Sequence, residues 1–138
     1  MELPTELAVL TCLTILAASL WIPYIVGVNT EPKRAGALDP FHRPPSQADM
    51  RPWVHRAYRA HLNLLEQFLP FAVILLILDR VDGFNAITYW TVIVFFWARA
   101  AHAIGMISGK ATFPLRPAIF ILGWLCILVL AWQVFAAR

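Results

Sequence analysis

Polar and apolar residues fall into long blocks along this chain, not into the short periods of a soluble domain. From about Leu7 to Val28 there is no charged residue. A bilayer core about 30 Å thick needs about 20 mostly apolar residues per helix, so this run predicts a first membrane span. A second apolar stretch, Gln67 to Leu78, is too short alone, and its helix is therefore predicted to begin near Pro52. That extension carries Arg59, His61, Asn63 and Glu66 into a membrane-crossing segment. Third and fourth spans are predicted from about Phe84 to Ile107, with Arg99 and His102 inside, and from about Leu115 to Phe135. The expectation is an all-α, integral-membrane four-helix bundle: one transmembrane domain over 1–138, with helices at 7–28, 52–78, 84–107 and 115–135.

Composition agrees. With 60% hydrophobic and 14% charged residues and a mean hydropathy of +0.68, so short a chain could not hide its apolar surface as a soluble domain. The first apolar run is expected to be a mature helix and not a signal peptide, because Met1-Glu-Leu-Pro-Thr-Glu carries acid where a signal carries base. Lys33, Arg34, Arg43 and Arg51 fall in the first connection, with Arg56 just beyond, and Lys110 and Arg116 in the third, whereas the N-terminus offers only Glu2 and Glu6. The bias places both basic connections on the cytoplasmic side and both termini opposite. The net charge of +3 arises from this face, which suits anionic headgroups and carries no nucleic-acid signature.

Pro32, Pro40, Pro44, Pro45 and Pro52 predict an extended, stiff first connection. Asp79-Arg-Val-Asp-Gly83 is short enough to make the second and third spans an antiparallel hairpin. Gly109 is expected to end the third span, and Pro114 or Pro117 to sit in the first turn of the fourth.

An ionisable group in hydrocarbon costs roughly 2.5–3.5 kcal/mol on insertion scales, so such groups usually face a bundle interior or wet cavity. Arg59 lies about seven residues into the second span, roughly 10 Å deep, and Arg99 about eight residues from the end of the antiparallel third, so the two share a depth. Arg59, Asn63 and Glu66 are spaced i, i+4, i+7 on one face, and Arg99 and His102 i, i+3 on another. With Arg116 opening the fourth span, they are expected to converge on one pocket. Three arginines against one glutamate suit an anionic ligand bearing one cationic group, an amino-acid-like conjugate with carboxylates. Arginine binds carboxylates bidentately, Glu66 would take an ammonium, and Asn63 adds a neutral donor and acceptor.

Plainer readings stand beside these. Arg59 and Glu66 would also serve by pairing across neighbouring helices, although a buried pair is seldom a strong stabiliser. His61, two residues from Arg59, falls on another face and reads as structural, while His102 divides between ligand contact and packing. His42 and His55 read as interfacial, and no Cys/His/carboxylate set has zinc-like spacing, so no metal is expected. Cys12 and Cys126, in apolar segments without a partner base, read as small core hydrophobes. Most of the tryptophans suit interfacial belts or helix packing.

Arg59-Ala-His61-Leu-Asn63-Leu-Leu-Glu66, followed by Pro70-Phe71, resembles the second-helix motif of the MAPEG family, the membrane-associated proteins of eicosanoid and glutathione metabolism. Arg99-Ala-Ala-His102-Ala-Ile-Gly105, then Pro114-Leu-Arg116 and Gly123, resembles its third- and fourth-helix pattern. The likeness extends over nearly the whole chain. It implies a homotrimer with glutathione as co-substrate between subunits in the cytoplasmic half. Arg59, Asn63, Glu66, Arg99 and His102 would contact the tripeptide, Arg116 would lie near its sulfur, and Arg34 would reach into a neighbour's site. A thiol near pKa 8.5 is only partly ionised at pH 7, and a fixed guanidinium favours the thiolate. Arg116 is thus the implied catalytic residue, activating the thiol against a lipophilic electrophile from the bilayer or a hydroperoxide.

Active members commonly carry a tyrosine one turn after the third-helix histidine and another one turn after the fourth-helix arginine. Here these positions are Met106 and Phe120. A glutathione-dependent transferase or peroxidase is therefore the leading expectation, and a non-catalytic glutathione- or lipid-binding relative the alternative. A coupled transporter fits least, for want of an inverted repeat.

Overall fold

The computed structural model describes residues 3–32 and 46–137. Most of the proline-rich first connection, with Arg34, His42 and Arg43, lies outside them. The described residues form helices and no strand: α1 (Thr5–Ser19), α2 (Ile22–Asn29), α3 (Pro52–Arg80), α4 (Ala86–Ser108) and α5 (Leu115–Ala136), with a single 3-10 turn at Gln47–Asp49 before α3. Four spans, Thr5–Asn29, Pro52–Arg80, Ala86–Ser108 and Leu115–Ala136, are long and apolar enough to cross a bilayer, and the protein is an integral, multi-pass membrane protein.

The first span differs from the single helix expected, for it breaks into α1 and α2 around Leu20 and Trp21. Pro23 is the cause. It lacks an N–H and crowds the carbonyl four residues back, so it is tolerated where it stands, in the first turn of a new helix. Pro70, by contrast, leaves α3 continuous over 29 residues.

Leu13, Phe71, Leu75, Val92, Phe95 and Leu130 form a dry core in one half of the bundle, with the Phe71 and Phe95 rings stacked 4.0 Å apart. Ala17, Ala60, Leu64, Ala103 and Met106 pack the other half, where small side chains let the backbones approach. At Gly27 a Cβ would meet Val54 Cγ2 at 2.6 Å, so α2 lies this close to α3 because that position is glycine. Cys126 is buried in the first of these clusters, as expected, but Cys12 is exposed on the outer face of α1 and is not a core residue. Its position in an apolar run says nothing of which face meets the lipid. Trp90, Trp97 and Trp132 likewise face outward.

Both ends of the bundle carry polar fastenings. At one, Arg51 N and Nε donate to Glu31 Oε1 at 3.0 and 2.9 Å, and its Nη2 donates to Thr30 Oγ1 at 2.8 Å and Gly27 O at 3.2 Å, tying the start of α3 to the end of α2. Arg56 stands over Gly109, the left-handed cap of α4 (φ 76°), where a cation favours the helix C-terminus. At the other end Glu6 is buried and accepts from Thr88 Oγ1 at 2.7 Å. Asn85 caps α4 through Ile87 N and Thr88 N, and its Nδ2 donates to Gln133 Oε1 at 2.9 Å, so α1, α4 and α5 are joined. Sequence reasoning had used Glu6 only as an N-terminal charge. Thr88→Val, which keeps the shape but removes this donor, is expected to destabilise the bundle by about 1–3 kcal/mol, measured as thermal unfolding in detergent.

Candidate functional site

Glycine and small residues bring α3, α4 and α5 together near the end that carries Arg51 and Lys110, and there the polar residues of the three helices meet. A groove of about 350 Å³ opens on the side of the bundle, lined by Asn63 from α3, His102 from α4, and Arg116, Pro117, Phe120 and Ile121 from the first turns of α5. That volume lies within the range of small-ligand sites. Three of the residues expected to converge, Asn63, His102 and Arg116, therefore do share one surface.

The remaining ones are distributed differently. At 100° per residue, Arg59, Asn63 and Glu66 fall at 0°, about 40° and about −20° around α3, and the edge of the bundle's packing runs between them. Asn63 is buried, while Arg59 and Glu66 are exposed on the outer face beside Leu65 and Leu69. Neither makes an ion pair among the described residues, so the reading in which they pair across neighbouring helices gains no support.

Arg99 does not line the groove but lies behind it. Only 1% exposed, it donates from Nη2 to Ile119 O at 3.0 Å, with its guanidinium 5.9 Å from the Phe95 ring and 5.8 Å from the Phe120 ring. Its Nε and Nη1 have no hydrogen-bond partner. Sequence spacing placed Arg99 on the right face of α4, but could not show that α5 packs so closely that a backbone carbonyl takes the guanidinium. His102 is buried one turn further, its ring 6.4 Å from that of Phe120. His61 lies away from the groove, with Nδ1 buried and unbonded.

Two further residues shape this region: Gln67, which sequence reasoning passed over, and Met106, which it noted only for the absence of a tyrosine hydroxyl. Gln67 is buried and donates from Nε2 to Phe120 O at 2.9 Å, so consecutive carbonyls of α5, Ile119 and Phe120, receive side chains from α4 and α3. Both side chains reach α5 beside Gly123, where a Cβ would overlap Gln67 Oε1 and come within 3.2 Å of Arg99 Nε and Nη2. The signal was present: Gln67 follows Asn63 by four residues in an otherwise apolar stretch, and a polar group there must find a partner. Met106 is the second. It is buried, and its sulfur accepts from Asn63 Nδ2 at 3.5 Å, while the same nitrogen donates to Arg59 O at 2.8 Å.

Chemically, the groove offers a cation at its mouth, a neutral amide and an imidazole on its walls, a second buried cation behind an aromatic ring, and no hydroxyl. That set favours an anionic ligand with apolar and hydrogen-bonding parts. The MAPEG family model matches residues 8–136. No curated protein matches the sequence.

Proposed function

Since the chain belongs to the MAPEG family, we propose that it is a membrane-bound, glutathione-dependent transferase or peroxidase acting on a lipophilic electrophile. The observation that carries this reading is the groove joining Asn63, His102 and Arg116 in a chain whose helices cross the membrane. The donor set suits glutathione: Arg59 and Arg116 complement a carboxylate and the thiolate, Arg99 adds positive charge from behind the Phe120 ring, Glu66 takes the ammonium, and Asn63 and His102 bond the polar backbone. By the family resemblance Arg34, which lies outside the described residues, would reach in from a neighbouring subunit.

Arg116 acts on the sulfur. Its guanidinium at the open mouth favours the thiolate, which forms a carbon–sulfur bond as the leaving group departs from a substrate arriving through the bilayer. With a hydroperoxide the sulfur takes the distal oxygen, the alcohol leaves, and a second glutathione yields the disulfide and water.

The same surface supports an assembly. Arg59 and Glu66 stand exposed on a helix otherwise flanked by apolar residues, and in hydrocarbon such groups need shielding. A three-fold ring supplies it. Native mass spectrometry is expected to give a trimer, and a stable monomer would refute this part of the proposal. Glu66→Gln, which keeps shape and removes the ammonium's partner, is expected to weaken glutathione binding about tenfold or more, the worth of a hydrogen bond to a charged group. Equal affinities in calorimetry would refute the assignment.

One observation favours a second reading. Among the described residues that line the groove none carries a hydroxyl, while Met106 accepts from Asn63 and Phe120 covers Arg99. A chain that binds glutathione without lowering the pH at which its thiol ionises, and without consuming an electrophile, is a binding or accessory protein and not an enzyme. Thiolate absorbance against pH, with conjugation of one small electrophile, decides between them.

A further inference from the structure

Asn63 lines the groove although it is only 7% exposed, and the polarity it presents there is set from behind. A side-chain amide has a donating end and an accepting end that are nearly alike in shape, so its orientation follows from its neighbours. Both neighbours of Asn63 Nδ2, the Arg59 carbonyl at 2.8 Å and the Met106 sulfur at 3.5 Å, only accept. Turning the amide over would set Oδ1 against a carbonyl oxygen and a thioether, two electron-rich atoms in a buried site. The two amide protons are thus committed inward, and Oδ1 is the one polar atom of this side chain left for a ligand.

We propose that Met106 determines specificity in the groove: its thioether holds the Asn63 amide so that the site accepts a hydrogen bond there, and so selects a ligand N–H over a ligand carbonyl or carboxylate. This rests on the reading that the groove holds a peptide thiol such as glutathione, and it names which face of that peptide Asn63 meets. Met106 touches no substrate and acts through Asn63, as a positioning residue. A leucine would fill nearly the same volume without the acceptor, which is the change that isolates the role. With the sulfur gone, one amide proton loses its partner and the two orientations become closer in energy.

The test uses the detergent-solubilised full chain, wild type and Met106→Leu. Calorimetry compares glutathione with two analogues, each lacking one amide N–H: the two singly N-methylated peptides. Wild type is expected to bind one analogue at least about tenfold more weakly than glutathione, and Met106→Leu to lose most of that discrimination at similar thermal stability. Independently of any ligand, the Asn63 side-chain amide resonances in a nitrogen–proton correlation spectrum are expected to shift in Met106→Leu. Equal binding of all three compounds by wild type, unchanged discrimination in the variant, or unmoved Asn63 resonances would each overturn the role of Met106 while leaving glutathione binding intact. Failure of wild type to bind glutathione itself would overturn the functional reading, and the specificity role with it.

Discussion

Gly123→Ala is expected to destabilise the bundle by about 2–4 kcal/mol, combining the usual cost of overpacking, about 1–3 kcal/mol, with loss of a buried hydrogen bond. The added methyl would overlap Gln67 Oε1. A long side chain can usually move aside cheaply, but this one is buried and bonded to Phe120 O through Nε2, so any shift that clears the methyl strains or breaks that bond. Arg99 closes the other side, with Nε and Nη2 within 3.2 Å of the new carbon. The check is thermal unfolding in detergent, with a double-mutant cycle against Gln67→Ala. In the Gln67→Ala background the same glycine substitution is expected to cost less than about 1 kcal/mol, because the overlapping atom is gone and sites in contact are not additive. Equal costs in the two backgrounds would mean that Gln67 is not what Gly123 accommodates.

Arg116→Leu is expected to lower turnover by about 10²–10³, the effect of removing one group aimed at developing negative charge. It should do so without abolishing glutathione binding, since Asn63, His102, Arg59 and Glu66 remain. The sign of the pH dependence follows from the thiolate. If Arg116 makes the bound thiol ionise at a lower pH than the free thiol, binding releases a proton, and affinity strengthens as pH rises from the bound value toward the free value near 8.5. In Arg116→Leu that pH dependence flattens and the thiolate absorbance appears only in the range of free glutathione. A wild-type profile already matching free glutathione would remove Arg116 from the catalytic role and favour the accessory reading.

Much of this protein was legible in one dimension. The spans near 52–78, 84–107 and 115–135 correspond to α3, α4 and α5 within a few residues, because transferring some 20 apolar residues into hydrocarbon depends on composition and length alone. The family was legible for a related reason: Arg59, Asn63, Glu66, Arg99, His102 and Arg116 are expensive in a membrane, so their presence and spacing carry information that apolar residues do not. Asn63, His102 and Arg116 were expected on one surface and share one groove.

Side-chain direction was another matter. Residues 40° apart on α3 fall on opposite sides of a packing edge, so Asn63 turns in and Arg59 and Glu66 turn out. Nothing in the α4 sequence says that Arg99 meets the carbonyl of Ile119, or that Gln67 meets that of Phe120, since both depend on how closely α5 approaches at Gly123. Glu6 and Thr88 stand 82 residues apart and become partners only because α1 and α4 lie side by side. By itself, then, the sequence determined that the chain crosses the membrane, how many times, and which residues are costly enough to mark a site. The tertiary structure decided which of them face the groove, which are buried behind it, and which stand outside, because burial and hydrogen bonding depend on helix crossings that glycine contacts set and linear spacing does not encode.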